Sequence, residues 1–333
     1  MKFTLHTTFP TELEADWNGL LAESVTHVPF LRFEYLHNWW QTRGGGEWDE
    51  TAQLSIITAH EGERLLGIAP LFRTSFDGND ALLLLGSIEI SDYLDFIVRP
   101  DDLPAFLNGL LGFLSPNDRL ELFNLLDSSP TIKQLEETAK DAGWQFASET
   151  TNNAPIISLP GDWETYLANL DKKQRHEIRR KIRRLEEAEV PTRWYFADNE
   201  ETLSDEIDNF LSLMAQDPDK ETFLTEEMVV AMSGTIQRAF EQGYLQLAFL
   251  EIDGQKAAAY LNFDYDNQLW IYNSGLDRQF ISYSPGWVLL GYLLRWANEN
   301  KKAYFDFMRG DEDYKYKFGA TDRYVQHLTV FKL

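Results

Sequence analysis

Between Leu54 and Phe72 the chain reads LSIITAHEGERLLGIAPLF, two runs in which apolar and polar residues trade places around Gly62. Between Leu245 and Phe263 it reads LQLAFLEIDGQKAAAYLNF, the same phrase with its turn at Asp253-Gly254. Alternation of period two on both sides of a glycine turn predicts an antiparallel hairpin in each place. A further strand ending in small residues follows each, ALLLLGS from Ala81 to Ser87 and QLWIYNSG from Gln268 to Gly275. Amphipathic helical spacing comes next, over Pro104 to Leu114 and Pro285 to Asn298, and then the strands RLELFNL from Arg119 and AYFDFM from Ala303. The turns lie 192 residues apart and the last strands about 184, so one order of elements is used twice.

Polar residues and two prolines break the pattern in TNNAPIISLPGD, Thr151 to Asp162. This places the joint near residue 159 and divides the chain into 1–158 and 159–333. Each half predicts a mixed, largely antiparallel sheet flanked by helices, an α/β or mixed α+β fold. Two finer expectations follow from spacing. Leu167, Leu170, Ile178, Ile182 and Leu185 form an apolar stripe if Tyr166 to Glu187 is one helix. If Ile88 to Val98 is a strand, Asp92 shares its apolar face with Ile88, Ile90, Leu94 and Phe96, while Asp95 lies on the other face.

Composition narrows the chemistry. The 333 residues suit two domains, and 44% hydrophobic with 14% aromatic residues is a globular composition. The absence of Cys excludes disulfides, thiolate nucleophiles, Cys-ligated zinc and iron–sulfur clusters. The six His are scattered without metal-ligand spacing, so no metal is expected; there is no GxGxxG, Walker A or GxSxG motif. The N-terminus lacks an apolar core of signal-peptide length, and the run VLLGYLL stops at Arg295, so a cytoplasmic protein without membrane insertion is expected. A formal charge of -24 opposes general nucleic-acid binding. Against that field stands KKQRHEIRRKIRR, Lys172 to Arg184, with eight basic residues in thirteen positions.

The element order resembles the GNAT acyltransferase fold. Four stretches, PFLRFEYLHNWW (Pro29 to Trp40), SDYLDF (Ser91 to Phe96), KKQRHEIRRKIRRLEE (Lys172 to Glu187) and the run from Ser274 to Gly319, resemble the tandem-GNAT group related to FemAB and to the CelD-type proteins linked with cellulose biosynthesis. The resemblance implies two tandem GNAT-like domains, with acyl-CoA (acetyl-CoA or longer) between two splayed central strands. It implies an N-acyltransferase acting on the amine of a small molecule, amino sugar or peptide. Two alternatives stay open, a Fem-like enzyme that takes its acyl group from aminoacyl-tRNA and a non-catalytic binding protein.

A helix N-terminus offers unpaired N–H donors and a partial positive charge, as a phosphate requires. Ser284-Pro285-Gly286 reads as N-cap, first helical position and a glycine that admits a ligand, with Ser274, Gly275 and Arg278 upstream as further cofactor-binding candidates. The loop RQFISYSPG departs from the usual GNAT signature in having one glycine. The equivalent first-half helix begins RPDDLPAF, whose Asp101 and Asp102 would repel phosphate, so the cofactor is assigned to the second half and the first is left as a structural or acceptor-binding partner.

Amine acylation needs a base, a donor to the carbonyl oxygen and an acid for the thiolate. Arg309, Asp311, Glu312 and Lys315 cluster after the predicted strand at Ala303, and Tyr272 and Tyr283 flank the expected thioester. The resemblance suggests that Lys315 stabilises negative charge. Asp92, Tyr93 and Asp95 are the acceptor-binding candidates, and Arg175 and Arg179 line one flank of the basic helix as candidates for phosphate. Each has a plainer reading as a cap, core aromatic or solvated charge.

Overall fold

The computed structural model describes residues 1–332 apart from Asp49 and Glu89. Met1–Asn153 with Arg323 onward form one compact unit, and Ala154–Asp322 the other.

In the first unit the expected hairpin is β3 (Ile56–Glu61) and β4 (Arg64–Ala69), turning on Gly62 at φ 61°. It lies in a sheet of order β1-β3-β4-β7, where β1 is Lys2–His6 and β7 is Ile97–Val98. After Pro70 the chain enters a second sheet as β5 (Leu71–Phe76), antiparallel to β2 (Gln53–Leu54) and to β6 (Asn79–Leu84). β6 runs parallel to β8 (Arg119–Leu126), and β9 (Gln145–Asn153) closes the far edge. Helices α1 (Glu14–Leu21), α2 (Phe33–Arg43), α3 (Leu103–Phe113) and α4 (Pro130–Asp141) complete the unit.

The expected strand from Ile88 to Val98 reduces to β7. Ser91–Phe96 is a loop held by the side chain and backbone of Asn124 instead of a ladder: Asn124 Nδ2 donates to the Ser91 carbonyl at 2.8 Å and Leu94 N to the Asn124 carbonyl at 2.9 Å. The Tyr35 hydroxyl likewise donates to the Ile90 carbonyl at 2.9 Å. Glu89 lies outside the described residues.

The second unit has one sheet of order β10-β15-β14-β13-β12-β11. These are β10 (Ile156–Ser158), β11 (Thr192–Phe196), β12 (Leu245–Ile252), β13 (Gln255–Tyr265), β14 (Gln268–Leu276) and β15 (Tyr304–Asp306). Its two tight turns use left-handed pairs, Asp253-Gly254 (φ 53° and 72°) and Asp266-Asn267 (φ 50° and 56°), the chemistry of short hairpins. The helices are α5 (Trp163–Asn169), α6 (Lys172–Glu186), α7 (Glu200–Met214), α8 (Pro218–Phe223), α9 (Glu226–Glu241), α10 (Pro285–Glu299) and α11 (Asp313–Lys317). α10 buries Leu289, Leu293 and Leu294 in the same core as Leu250, Ala258 and Leu269 of the sheet. Burial of each such leucine contributes about 2 kcal/mol.

The expected single helix from Tyr166 to Glu187 is two. Leu170 is extended (ψ 153°), and the Asp171 carboxylate accepts from Lys173 N at 2.8 Å and Gln174 N at 3.1 Å, starting α6 afresh. The domain limits also differ from 1–158 and 159–333. β10 pairs with β15, so residues from Ala154 belong to the second unit. The chain's last strand, Tyr324–Phe331, pairs with β8 and β9 of the first.

Candidate functional site

β14 pairs with β13 over nearly its whole length, from Gln268 opposite Tyr265 to Leu276 opposite Ala258. Its other edge meets β15 only at Gln268↔Tyr304, Leu269↔Phe305 and Trp270↔Asp306. The register then shifts, from Asn262↔Ile271 to Leu261↔Asn273, so Tyr272 is the extra residue of a bulge. A bulge re-aims a strand, and here it falls where the parallel ladder stops. β15 turns off at the same level: the buried Asp306 carboxylate accepts from Met308 N at 2.9 Å, and Met308 takes φ 59°. The two strands therefore part, and β14 from Ile271 to Leu276 has an edge that β15 does not cover.

The chain leaves β14 through Asp277, whose carboxylate accepts from Gln279 N at 2.9 Å and starts a short 3-10 turn, Arg278–Tyr283. Ser284 then adopts φ 56°, ψ 52° and Pro285 begins α10. The sequence casts Ser284 as a side-chain cap, but in this left-handed conformation it makes no capping hydrogen bond. Among the described residues no side chain takes the amides of the first turn, and Pro285 has none to offer. A Cβ placed on Gly286 would meet only Leu276 Cδ2, at an ordinary 3.5 Å, so there is room above the backbone.

A cation stands against a side chain of this first turn. Lys181 Nζ lies 3.9 Å from the centroid of the Trp287 ring, and also 3.5 Å from Glu177, one helical turn before it. Arg175 and Arg179 are on the flank of α6 beside α5, where Arg175 donates to the Ala168 carbonyl at 3.2 Å and Arg179 pairs with Glu164. The basic helix thus presents Lys181 to the start of α10, a residue the sequence left undistinguished from its neighbours.

Beside the open edge of β14 is a cavity of about 490 Å³, lined among others by Leu213, Asp217, Lys220, Ser274, Arg278 and Ile281. It brings together the candidates Ser274, Gly275 and Arg278. Gly275 has a packing reason of its own, since a Cβ there would meet Met214 N at 2.4 Å and Leu213 C at 2.5 Å in the end of α7. Lys220 is the residue that sequence reasoning missed. Its Nζ donates to Asn273 Oδ1 at 2.9 Å and to the Ser274 carbonyl at 2.5 Å. Burial holds its pKa below the ordinary lysine value, partly offset by Asp217 and Glu312. No signal in QDPDKETF marks it, because its partners come from β14, more than fifty positions away.

The exit of β15 is more self-contained than its sequence suggests. The buried Lys315 ammonium donates to the carbonyls of Arg309 (2.8 Å) and Gly310 (3.1 Å) and pairs with Glu312 at 2.8 Å, so it closes the loop onto itself. Glu312 lies against Gly310, where a Cβ would come within 2.5 Å of Oε2. Asp311 is exposed. Tyr314, half-buried and near Glu312, has its phenol pushed upward, first by desolvation and then by that charge. Tyr272 sits at the bulge with its ring 5.4 Å from Phe263, and Tyr283 packs on the core at the end of the 3-10 turn.

Residues 172–316 match the family model of the acetyltransferase (GNAT) domain. The second unit is thus similar to the GNAT domain over most of its length. Solved structures extend the likeness to the whole chain. FemX aligns over 100% of this chain and 98% of its own, with a TM-score of 0.67 and 10% identity. A conserved protein of unknown function from Bacteroides thetaiotaomicron aligns over 99% and 100%, with 0.63 and 12%. A C-terminal domain assigned to a lysylphosphatidylglycerol synthetase of Agrobacterium fabrum aligns over 95% and 92%, with 0.54 and 11%. At these identities the likeness is one of fold, and the chain has two tandem GNAT-like domains. No curated protein sequence matches it.

The parting of β14 and β15 lies within the residues that match the GNAT family model. In the first unit α3 starts at Asp102, whose carboxylate meets Arg64 at 3.2 Å. Among the acceptor candidates there, Asp95 is fully buried, accepting from Thr26 Oγ1 (2.6 Å), Ser129 Oγ (2.5 Å) and Phe96 N (2.8 Å). Burial raises its pKa against those donors. Asp92 is half-buried, so the two aspartates exchange the surroundings expected of them. Tyr93 is fully buried, its hydroxyl 3.3 Å from Arg323 Nη2. Among the described residues no group of three or more His, Asp or Glu is arranged to hold a metal ion, and no helix is long and apolar enough to cross a membrane.

Proposed function

We propose that the protein is an N-acyltransferase that moves an acyl group from acyl-CoA to the amine of a small molecule, amino sugar or peptide. The observation that carries this reading is the uncovered edge of β14 leading to the uncapped start of α10. A bound acyl-CoA supplies an activated thioester and a pyrophosphate. The amides of Gly286 and Trp287 hold the pyrophosphate, with Lys181 adding charge at the same turn. Backbone groups of Asn273 to Leu276 orient the pantetheine arm as a further strand would be oriented. Ser274 and Arg278 line the cavity it enters.

Reaction requires the acceptor nitrogen to bond to the acyl carbon while the C–S bond breaks. Asp311 or Glu312 receives the proton that the nitrogen sheds. Tyr272 or Tyr283 gives a proton to the departing sulfur. Lys315, already engaged by Glu312, fixes that carboxylate and the loop. Of the first unit's candidates, Asp95 serves its buried network, and half-buried Asp92 is the one able to meet a ligand.

Titration of CoA and acetyl-CoA followed by melting temperature, with thiol release measured against a panel of amines, tests this reading. A rise in melting temperature that saturates, with thiol release that depends on amine, is expected. No shift at millimolar concentration overturns it.

A further inference from the structure

Other half-buried or buried lysines of the second unit have carboxylates within ion-pair distance: Lys256 with Glu206 (2.6 Å), Lys302 with Asp264 (2.5 Å) and Lys315 with Glu312 (2.8 Å). Lys220 is different. Its hydrogen-bond partners are neutral oxygens, Asn273 Oδ1 at 2.9 Å and the Ser274 carbonyl at 2.5 Å, with Ser274 Oγ farther off at 3.5 Å. An ammonium has three hydrogens to place and a neutral amine two. Two strong acceptors satisfy the neutral form and leave its lone pair unused. The charged groups around it are Asp217 at the start of α8, Glu312 from the loop after β15, and Arg278 on the cavity wall.

We propose that Lys220 is a site of covalent acylation, its amine taking the acyl group of a thioester bound along β14 and becoming an Nε-acyl-lysine. This rests on the acyl-CoA reading above. The amine stands one and two residues past the bulge at Tyr272, at the edge that β15 leaves open, and it faces a cavity of about 490 Å³. Buried lysines with depressed pKa values are the nucleophilic ones, and burial depresses this one. In the step, the Lys220 nitrogen bonds to the acyl carbon, the C–S bond breaks, and the proton lost by nitrogen ends on the CoA thiol. No oxidant or other reactant is needed. The product amide keeps one N–H for the Ser274 carbonyl and sets its acyl carbon among Leu213, Leu276 and Ile281. Having consumed the amine and filled the cavity, the modification obstructs the donor site, so the chain limits its own turnover.

The test incubates the full chain with acetyl-CoA and follows each lysine by peptide mass spectrometry, while CoA lacking an acyl group is titrated separately by melting temperature. Lys220 is expected to acetylate at least tenfold faster than exposed Lys172 and Lys173, with a rate that saturates over the range in which CoA raises the melting temperature. Lys220→Arg, which can donate to the same oxygens but has no amine to acylate, is expected to fold and to lose this fast adduct. If CoA binds but Lys220 reacts no faster than the exposed lysines, or if Lys220→Arg takes up acetyl at the same fast rate, the modification is refuted and the acyltransferase reading stands. If CoA does not bind, both fall.

Discussion

Trp270 and Asp306 are the last paired residues of β14 and β15, and Asp306 ends the pairing itself by turning its carboxylate to Met308 N at 2.9 Å. Everything assigned to the site lies beyond that pair: the bulge at Tyr272, the open edge, Lys220 and the uncapped helix.

Gly286→Asp separates ligand binding from stability. An aspartate at the second helical position favours the helix by about 0.5 kcal/mol through the macrodipole, and the space above Leu276 accepts its Cβ. The same carboxylate occupies the phosphate position and repels the ligand. Calorimetry is expected to show CoA affinity falling at least tenfold, with a melting temperature unchanged or raised.

Lys181→Gln and Arg179→Gln distinguish the two flanks of the basic helix. Removing Lys181 takes a cation from the first turn of α10 and is expected to weaken CoA binding about tenfold at low salt, and less as ionic strength rises. Arg179, paired with exposed Glu164, is expected to change affinity less than twofold. Equal losses in both variants would refute the assignment of Lys181.

Gly275→Val reads the packing of α7. Its Cβ would fall 2.4 Å from Met214 N, a backbone atom that cannot swing aside. Overpacking of this kind costs about 3 kcal/mol, and urea unfolding is expected to report it. A fully stable Gly275→Val chain would mean that α7 does not rest on β14 here.

A pH effect belongs to the first unit. Protonated His327 donates from Nε2 to Glu121 (2.6 Å) and from Nδ1 to Glu149 (3.0 Å), and it stacks on Phe123 with centroids 3.8 Å apart. Burial alone lowers its pKa, but the two carboxylates outweigh burial and the net shift is upward from 6.5. Burial raises Glu121, and its bonds to His327, Thr329 and Arg119 outweigh that, leaving it below 4.5. The histidine term is therefore complete below pH 6.5 and lost as pH rises through the folded value, while the Glu121 term is present above pH 4.5 and lost as pH falls. The melting-temperature difference between the native chain and His327→Gln is expected to be largest near pH 5 to 6, roughly the window between those values, and to shrink as pH rises through the raised folded value.

The hairpins, the third strands and α10 were legible in the sequence because local alternation and turn residues such as Asp253-Gly254 specify them. The break at Leu170-Asp171 was also written there, in the capping aspartate, but the apolar stripe from Leu167 to Leu185 concealed it. Other features depend on distant partners. The loop Ser91–Phe96 looks like a strand until Asn124 takes its backbone groups. The last strand looks like part of the second half until β8 and β9 pair with it. In the site, Ser274, Gly275, Arg278 and Gly286 could be named from the strand-to-helix connection alone. Lys220 and Lys181 could not, since only folding brings α8 to Ser274 and α6 to Trp287.

A crystal structure of the chain with CoA tests the central claim most directly. The account predicts pyrophosphate oxygens within hydrogen-bonding distance of the Gly286 and Trp287 amides, with the pantetheine arm along Asn273 to Leu276. CoA bound elsewhere on the chain, with the edge of β14 and the start of α10 untouched, would contradict it.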